Sequence, residues 1–262
     1  MKLAAATTGK GPAVLLVHGF PDTRELWRHQ VGPLAAAGFR VIAPDLRGFG
    51  ESERPVGVDA YRATAVMDDL VELLDEHGVE RAHVVGHDWG AGIAWVLAGL
   101  HPERVASLAA LSVGHPDAIH PRTIESREKA WYQLLFQFEE AEELLLRDDA
   151  RLLRQWLADA PDAEGAVRRL SEPGVLTAQL GLYRANLHPR AELESRALPP
   201  VAAPTLGLWS TGDRYLTEAP MLRSAEHVTG RWRYERIEGA SHWLQLDAPD
   251  RVTRLLLEHL RS

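Results

Sequence analysis

Two glycines frame a single aspartate in Gly86-His87-Asp88-Trp89-Gly90, directly after a short apolar run that ends at Val85. Small residues suited to a helix follow, from Ala91 toward Leu100. Strand, sharp turn and helix with Gly-x-nucleophile-x-Gly spacing make a nucleophile elbow. Such a turn leaves no room for side chains at its flanks, so Gly86 and Gly90 fit for steric reasons. The residue at the apex is pushed out over the end of a sheet. It is usually serine; here it is Asp88. A carboxylate is already ionised near neutral pH. It attacks carbonyl carbon poorly but displaces well at saturated carbon, giving an alkyl ester of the enzyme that water must cleave. The other reading of Asp88 is a cap on the following helix.

Cleaving such an ester needs a base. Twelve histidines leave composition silent on which one, but position selects. Elbows of this type place their partners in the order nucleophile, acid, histidine. Asp213 lies in Ser210-Thr211-Gly212-Asp213-Arg214, just past an apolar run, and His242 lies in Gly239-Ala240-Ser241-His242-Trp243, just past the next. Both would sit at strand carboxyl ends, the sheet edge that carries Asp88 and where open α/β sheets bind ligands. His242 would take a proton from water, and Asp213 would orient its ring. Otherwise they are a surface-loop histidine and a turn-forming aspartate. Water attack creates an oxyanion that needs donors. The Trp89 N–H opens a helix and is one; the loop His18-Gly19-Phe20-Pro21 after the first buried strand offers the Phe20 N–H as the other. His18 and His87 read as loop hydrogen-bonding residues, and His101, His115 and His120 sit beside prolines or helix ends. No metal-ligand spacing is evident, so neither metal nor cofactor is expected.

These residues need a scaffold. Ala13–Val17 and Arg40–Ala43 are continuous apolar runs, as for strands buried on both faces. Val84-Val85, Val105–Leu111, Thr205–Trp209 and Trp232–Ile237 continue the pattern. Helices are expected at Ala60–His77, Ala91–Leu100 and Pro249–Leu260. Strand alternating with helix predicts an α/β class, with a mostly parallel sheet and helices on both faces. From about Asp117 to Pro199 only helical patterning appears, and Glu139-Glu140 and Glu142-Glu143 read as a solvated helical region. The expected plan is a core in two parts, residues 1–116 and 200–262, interrupted by a helical cap over 117–199. The Gly-x-Gly of Gly48-Phe49-Gly50 lacks the third glycine of a dinucleotide fingerprint, since position 53 is Glu.

The chain has 262 residues and a net charge of -8, which argues against a nucleic-acid partner. The absence of cysteine removes disulfides, thiol nucleophiles and zinc-thiolate sites together. The N-terminal stretch is too short and too weakly apolar for a signal peptide, and no run approaches membrane-spanning length. A cytoplasmic monomer or homodimer without membrane partners is the expectation.

With Gly86-His87-Asp88-Trp89-Gly90-Ala91, His18-Gly19-Phe20-Pro21, Asp213 and His242 in hand, the chain resembles the α/β-hydrolase-fold epoxide hydrolases over nearly its whole length. The resemblance implies two cap tyrosines that hydrogen-bond the epoxide oxygen. Trp131-Tyr132-Gln133-Leu134-Leu135-Phe136 and Leu182-Tyr183-Arg184 match their segments. It implies a substrate surface formed by Trp89, Phe20 and Phe136, a cis peptide before Pro21, and an epoxide and water as partners. Family members usually carry two short strands before the His-Gly motif; Lys2–Thr8 leaves room for one. A haloalkane or haloacetate dehalogenase would use the same Asp–His–Asp set. Those enzymes often carry Asn where this chain has Phe20, or Arg where it has Trp89, and halide departure needs no acid such as Tyr132 or Tyr183. A non-catalytic ligand receptor on the same fold is the remaining alternative.

Overall fold

Seven strands form one sheet in the order β1-β3-β2-β4-β5-β6-β7 in the computed structural model, which describes residues 1–120, 122–188 and 197–262. The strands are β1 (Ala5–Thr8), β2 (Ala13–Val17), β3 (Arg40–Pro44), β4 (Ala82–His87), β5 (Val105–Leu111), β6 (Thr205–Ser210) and β7 (Trp232–Ile237). All neighbours pair in parallel except β1, which runs antiparallel to β3 at the edge. β2 and β6 are buried at every position, which explains their unbroken apolar sequence. β1 is exposed throughout and is the one strand that precedes β2, as Lys2–Thr8 suggested.

Helices α1 (Arg28–Ala36), α2 (Ala63–Glu76) and α3 (Trp89–Leu100) connect the first strands. α2 begins later than its apolar pattern implied, because Val58–Tyr61 forms a separate 3-10 turn. Val66, Leu70, Leu73 and Leu74 are its buried face, as spaced. α3 is apolar on nearly all sides and packs on β4 and β5. α1 carries no apolar stripe that would mark it in the sequence: only Gln30 and Leu34 are buried, and Pro33 interrupts the pattern.

Between β5 and β6 the described residues contain helices and no strand: α4 (Ile124–Lys129), α5 (Trp131–Leu135), α6 (Ala141–Trp156), α7 (Ala163–Leu170) and α8 (Val175–Asn186). α6 is broken at Arg147–Ala150, where the backbone leaves the helical region. The helical expectation for residue 121 and residues 189–196 lies outside the described residues. Helices α9 (Ala219–Arg223), α10 (Leu244–Asp247) and α11 (Pro249–Leu260) complete the core. Among the described residues no helix is long and apolar enough to cross a membrane.

β2 pairs with β3 on one side and β4 on the other, so the strand order reverses there. A crevice opens at the carboxyl ends of strands around such a point. The segments after β2, β4, β6 and β7 carry Phe20, Asp88, Asp213 and His242 respectively.

Candidate active site

The turn after β4 holds Asp88 at φ 53°, ψ −124°, a region that residues with side chains rarely occupy. Its neighbours show why glycine flanks it. A Cβ on Gly86 would lie 2.4 Å from the Gly90 carbonyl oxygen, and one on Gly90 would lie 2.2 Å from the Val17 oxygen. Both obstacles are backbone and cannot swing aside. Gly90→Ala is therefore expected to lower folding stability by about 3 kcal/mol, read from the urea midpoint. An unchanged midpoint would mean that the elbow tolerates the methyl group.

The loop after β2 reaches the same carboxylate. The Phe20 N–H donates to Asp88 Oδ1 at 2.8 Å, and the Phe20–Pro21 peptide is cis. A Cβ on Gly19 would fall 2.3 Å from Asp88 Oδ1 and 2.6 Å from the Trp89 nitrogen. Gly19 thus lets the Phe20 loop close over the two positions where oxyanion donors are needed. His18 supports this loop: its Nδ1 bonds the Gly19 carbonyl at 2.9 Å, and its Nε2 accepts from the Leu46 N–H at 3.0 Å.

Asp88 Oδ2 lies 3.5 Å from His242 Nε2. On the ring's other side, His242 Nδ1 lies 2.7 Å from Asp213 Oδ2. The second Asp213 oxygen accepts from the Tyr215 N–H at 2.8 Å and the Leu216 N–H at 2.9 Å. Burial alone would raise the Asp213 pKa. The His242 charge, the hydrogen bond to it and these two N–H donors outweigh burial and hold it low. For His242, burial pulls the imidazolium down, but the Asp213 charge and hydrogen bond, and then Asp88, raise its pKa to about 10. The His242 backbone is fixed as well. Its carbonyl accepts from His87 Nε2 at 2.9 Å and Ser112 Oγ at 3.0 Å. Burial, then the nearby His242 charge, push His87 down to about 3, so it stays neutral and serves as a donor.

The inserted helices bring the two tyrosines to this carboxylate. Asp88, His242, Tyr132 from α5 and Tyr183 from α8 line one narrow cavity, with Phe20, Pro21, Trp156, Leu157, Tyr215 and Trp243. Tyr183 sets its ring edge-on to Phe20 and to Trp89. Burial, and next the Asp88 charge, push both phenols above their ordinary pKa, so they remain protonated near neutrality. Gln137 donates to the Tyr183 carbonyl at 3.1 Å. Arg184 donates to the Phe136 carbonyl at 2.9 Å and pairs with Glu142 at 2.7 Å. These bonds tie α8 to α6 and to the chain that follows α5. Glu142, expected on a solvated face, is instead half-buried in this ion pair. A wider groove between α1 and α11, lined by residues such as Pro33, Asp250 and Thr253, lies away from Asp88 and its partners.

Two further residues expected at the substrate surface, Phe136 and Trp89, stand against the residues that line the cavity. Phe136 is fully buried and packs against Phe20, Tyr132, Trp156 and Tyr183, all of which line the cavity. The Trp89 ring is partly exposed and stands edge-on to Tyr183. Tyr215, Trp156 and Trp243 also line it, and none of the three was expected there from the sequence. Tyr215 and Trp243 stand beside Asp213 and His242 in the chain, which was the available signal. Trp243 Nε1 also donates to Asp22 at 2.9 Å, while burial pushes the Asp22 carboxyl up to about 6.

The sequence matches the alpha/beta hydrolase fold family over residues 12–249. With an Asp elbow at the carboxyl edge of this sheet, the chain belongs to the α/β-hydrolase-fold family and, within it, to the epoxide-hydrolase group. It is 37% identical to Epoxide hydrolase A of Mycobacterium tuberculosis, covering 99% of this chain and 94% of that protein. It is 34% identical to the AB hydrolase superfamily protein YfhM of Bacillus subtilis, over 100% of this chain and 94% of that one. A crystal structure of a variant epoxide hydrolase from Bacillus megaterium superposes with a TM-score of 0.88 at 26% identity, covering 99% and 97% of the two chains.

Proposed function

We propose that this protein hydrolyses an epoxide to a vicinal diol through an alkyl ester on Asp88. The observation that carries the reading is the cavity shared by Asp88, His242, Tyr132 and Tyr183. Relatives named epoxide hydrolases support it.

The Phe20 N–H holds Asp88 Oδ1, which leaves Oδ2 as the attacking oxygen. Oδ2 forms a bond to one epoxide carbon as that carbon's bond to the ring oxygen breaks. The ring oxygen keeps the electron pair and takes a proton from a phenol, Tyr132 or Tyr183. A neutral phenol can hydrogen-bond the oxygen first and protonate it as charge develops. Ester formation also removes the Asp88 charge, one of the influences that hold His242 protonated. The imidazolium then releases its proton to restore the phenol, through solvent, and the neutral ring can act as a base. Water gives its proton to His242 Nε2 and attacks the Asp88 carboxyl carbon. The resulting oxyanion develops on Oδ1, beside the Phe20 and Trp89 N–H groups. Collapse expels the diol as an alkoxide, which takes the proton of the newly formed Asp88 carboxylic acid, leaving the carboxylate and imidazolium of the resting state.

The capacity of the cavity to place an acid over the epoxide oxygen favours this reading over halide displacement, which needs no proton. Single turnover in oxygen-18 water with enzyme in excess tests it. The first diol is expected to carry unlabelled oxygen, with the label appearing in Asp88. Label entering the first diol directly would show that water attacks the epoxide itself.

A further inference from the structure

The turn that carries Asp213 is held from two sides. From within, Asp213 Oδ1 accepts the Tyr215 and Leu216 N–H groups, which leaves Oδ2 free for His242. From outside comes Lys129, the last residue of α4. Its ammonium donates to the Asp213 carbonyl at 2.8 Å and the Leu216 carbonyl at 3.1 Å. Those carbonyls are the two ends of the same turn, and an ammonium has donors enough for both. Tyr215 and Arg214 further join the turn to the end of α6 and the segment after it. The Tyr215 hydroxyl lies 2.8 Å from both the Trp156 carbonyl and Asp159 Oδ1, with one proton to share between them, and Arg214 pairs with Asp159 at 3.2 Å. Every one of these outer contacts comes from the helices inserted between β5 and β6, while Asp213 belongs to the core.

We propose that Lys129 is a positioning residue for Asp213, so that His242 is oriented to activate water only while the inserted helices are seated over the site. This rests on the Asp88-ester reading given above. The core holds the turn ahead of Asp213, where the Thr211 N–H donates to the Ile237 carbonyl at 3.1 Å and the Gly212 N–H to the Ala240 carbonyl at 2.9 Å; from Asp213 to Leu216 the outer bonds come from α4 and from the end of α6 and the segment after it. Those helices also wall the cavity through Tyr132, Trp156 and Tyr183, so the same seating that presents the two phenols also fixes the acid that orients the base. Asp88 is placed independently, by its elbow and by the Phe20 N–H. Loss of Lys129 is therefore expected to act on ester hydrolysis and to spare ester formation.

The test is rapid-quench kinetics on Lys129→Met and Lys129→Arg, with the enzyme-bound adduct followed by intact-protein mass and folding checked by thermal unfolding. In Lys129→Met the hydrolysis step is expected to slow about 10-fold, the scale on which outer hydrogen-bond partners tune a site. The adduct accumulates, and kcat and KM fall together while kcat/KM holds. A guanidinium can also reach two carbonyls, so Lys129→Arg is expected to recover most of the hydrolysis rate. Lys129→Gln, a milder truncation, should show the same split should the Met variant be unstable. A folded Met or Gln variant that hydrolyses the ester at the wild-type rate overturns the proposal. So does one in which both steps slow equally. Absence of any adduct in the wild-type enzyme would instead overturn the ester reading itself, and this inference with it.

Discussion

Replacing His242 with Gln is expected to stop the reaction halfway, leaving the enzyme alkylated on Asp88. Glutamine keeps roughly the length and polarity of the side chain but cannot accept a proton from water. Ester formation does not need the imidazole as a base, because Asp88 is the attacking group and its Oδ1 is held by the Phe20 N–H, not by His242. Ester hydrolysis does need it. The expected loss in kcat is about 10³-fold or more, within the range of a positioned general base combined with its orienting acid. Intact-protein mass should rise by the mass of one epoxide, and peptide mapping should place the increase on the segment containing Asp88. The fold should survive, since the His242 carbonyl is what His87 and Ser112 bond, and those contacts are to backbone. Turnover at the wild-type rate with no mass increase would remove His242 from the chemistry. An enzyme that is neither alkylated nor active would indicate that His242 is also needed for the first step.

Much of this site could be read from the chain because its parts announce themselves by local sterics. Gly86 and Gly90 are required by backbone only 2–3 Å away, so the elbow has few alternative sequences. The strand ends are marked where unbroken apolar runs stop, and β5 and β7 match the expected Val105–Leu111 and Trp232–Ile237. Asp213 and His242 followed from chain order, because strands fix the edge at which loops emerge. The walls of the cavity obey no such rule. Trp156 closes a helix that is broken at Arg147–Ala150, so its direction depends on a kink that periodicity does not express. Phe136 has the spacing of a residue on the Tyr132 face, but its packing against Phe20, Trp156 and Tyr183 is set by elements distant in the chain. Glu142 sits among acidic neighbours and reads as solvated; only the Arg184 partner from α8, far away in sequence, makes it structural. Contacts between inserted helices are set by tertiary packing, and single-chain patterning is blind to them.

Removing both phenolic hydroxyls, in Tyr132→Phe combined with Tyr183→Phe, is expected to abolish epoxide opening while leaving the protein folded. Phenylalanine retains the rings, and it is the rings that make the packing: Tyr132 against Phe136 and Trp156, Tyr183 against Phe20, Trp89 and Phe136. What is lost is the acid. An alkoxide leaving group is strongly basic, and without a proton donor the ring-opening barrier rises. The loss should be about 10²–10⁴-fold, the usual worth of a positioned general acid. Either single variant should lose less, since the remaining phenol still faces the same cavity as Asp88. The measurement is the rate of adduct formation in a single turnover, because steady-state rates would mix in hydrolysis. The contrast with the histidine variant is diagnostic: that enzyme should trap the ester, and this one should form it about 10²–10⁴-fold more slowly without accumulating it. Halide is a leaving group that needs no proton, so the same double variant can be offered a haloacetate or a haloalkane. Epoxide opening that survives the double change, accompanied by halide release, would move the assignment from an epoxide to a halogenated substrate. The two outcomes separate because they ask one question of the cavity, whether its phenols face a developing negative charge on oxygen.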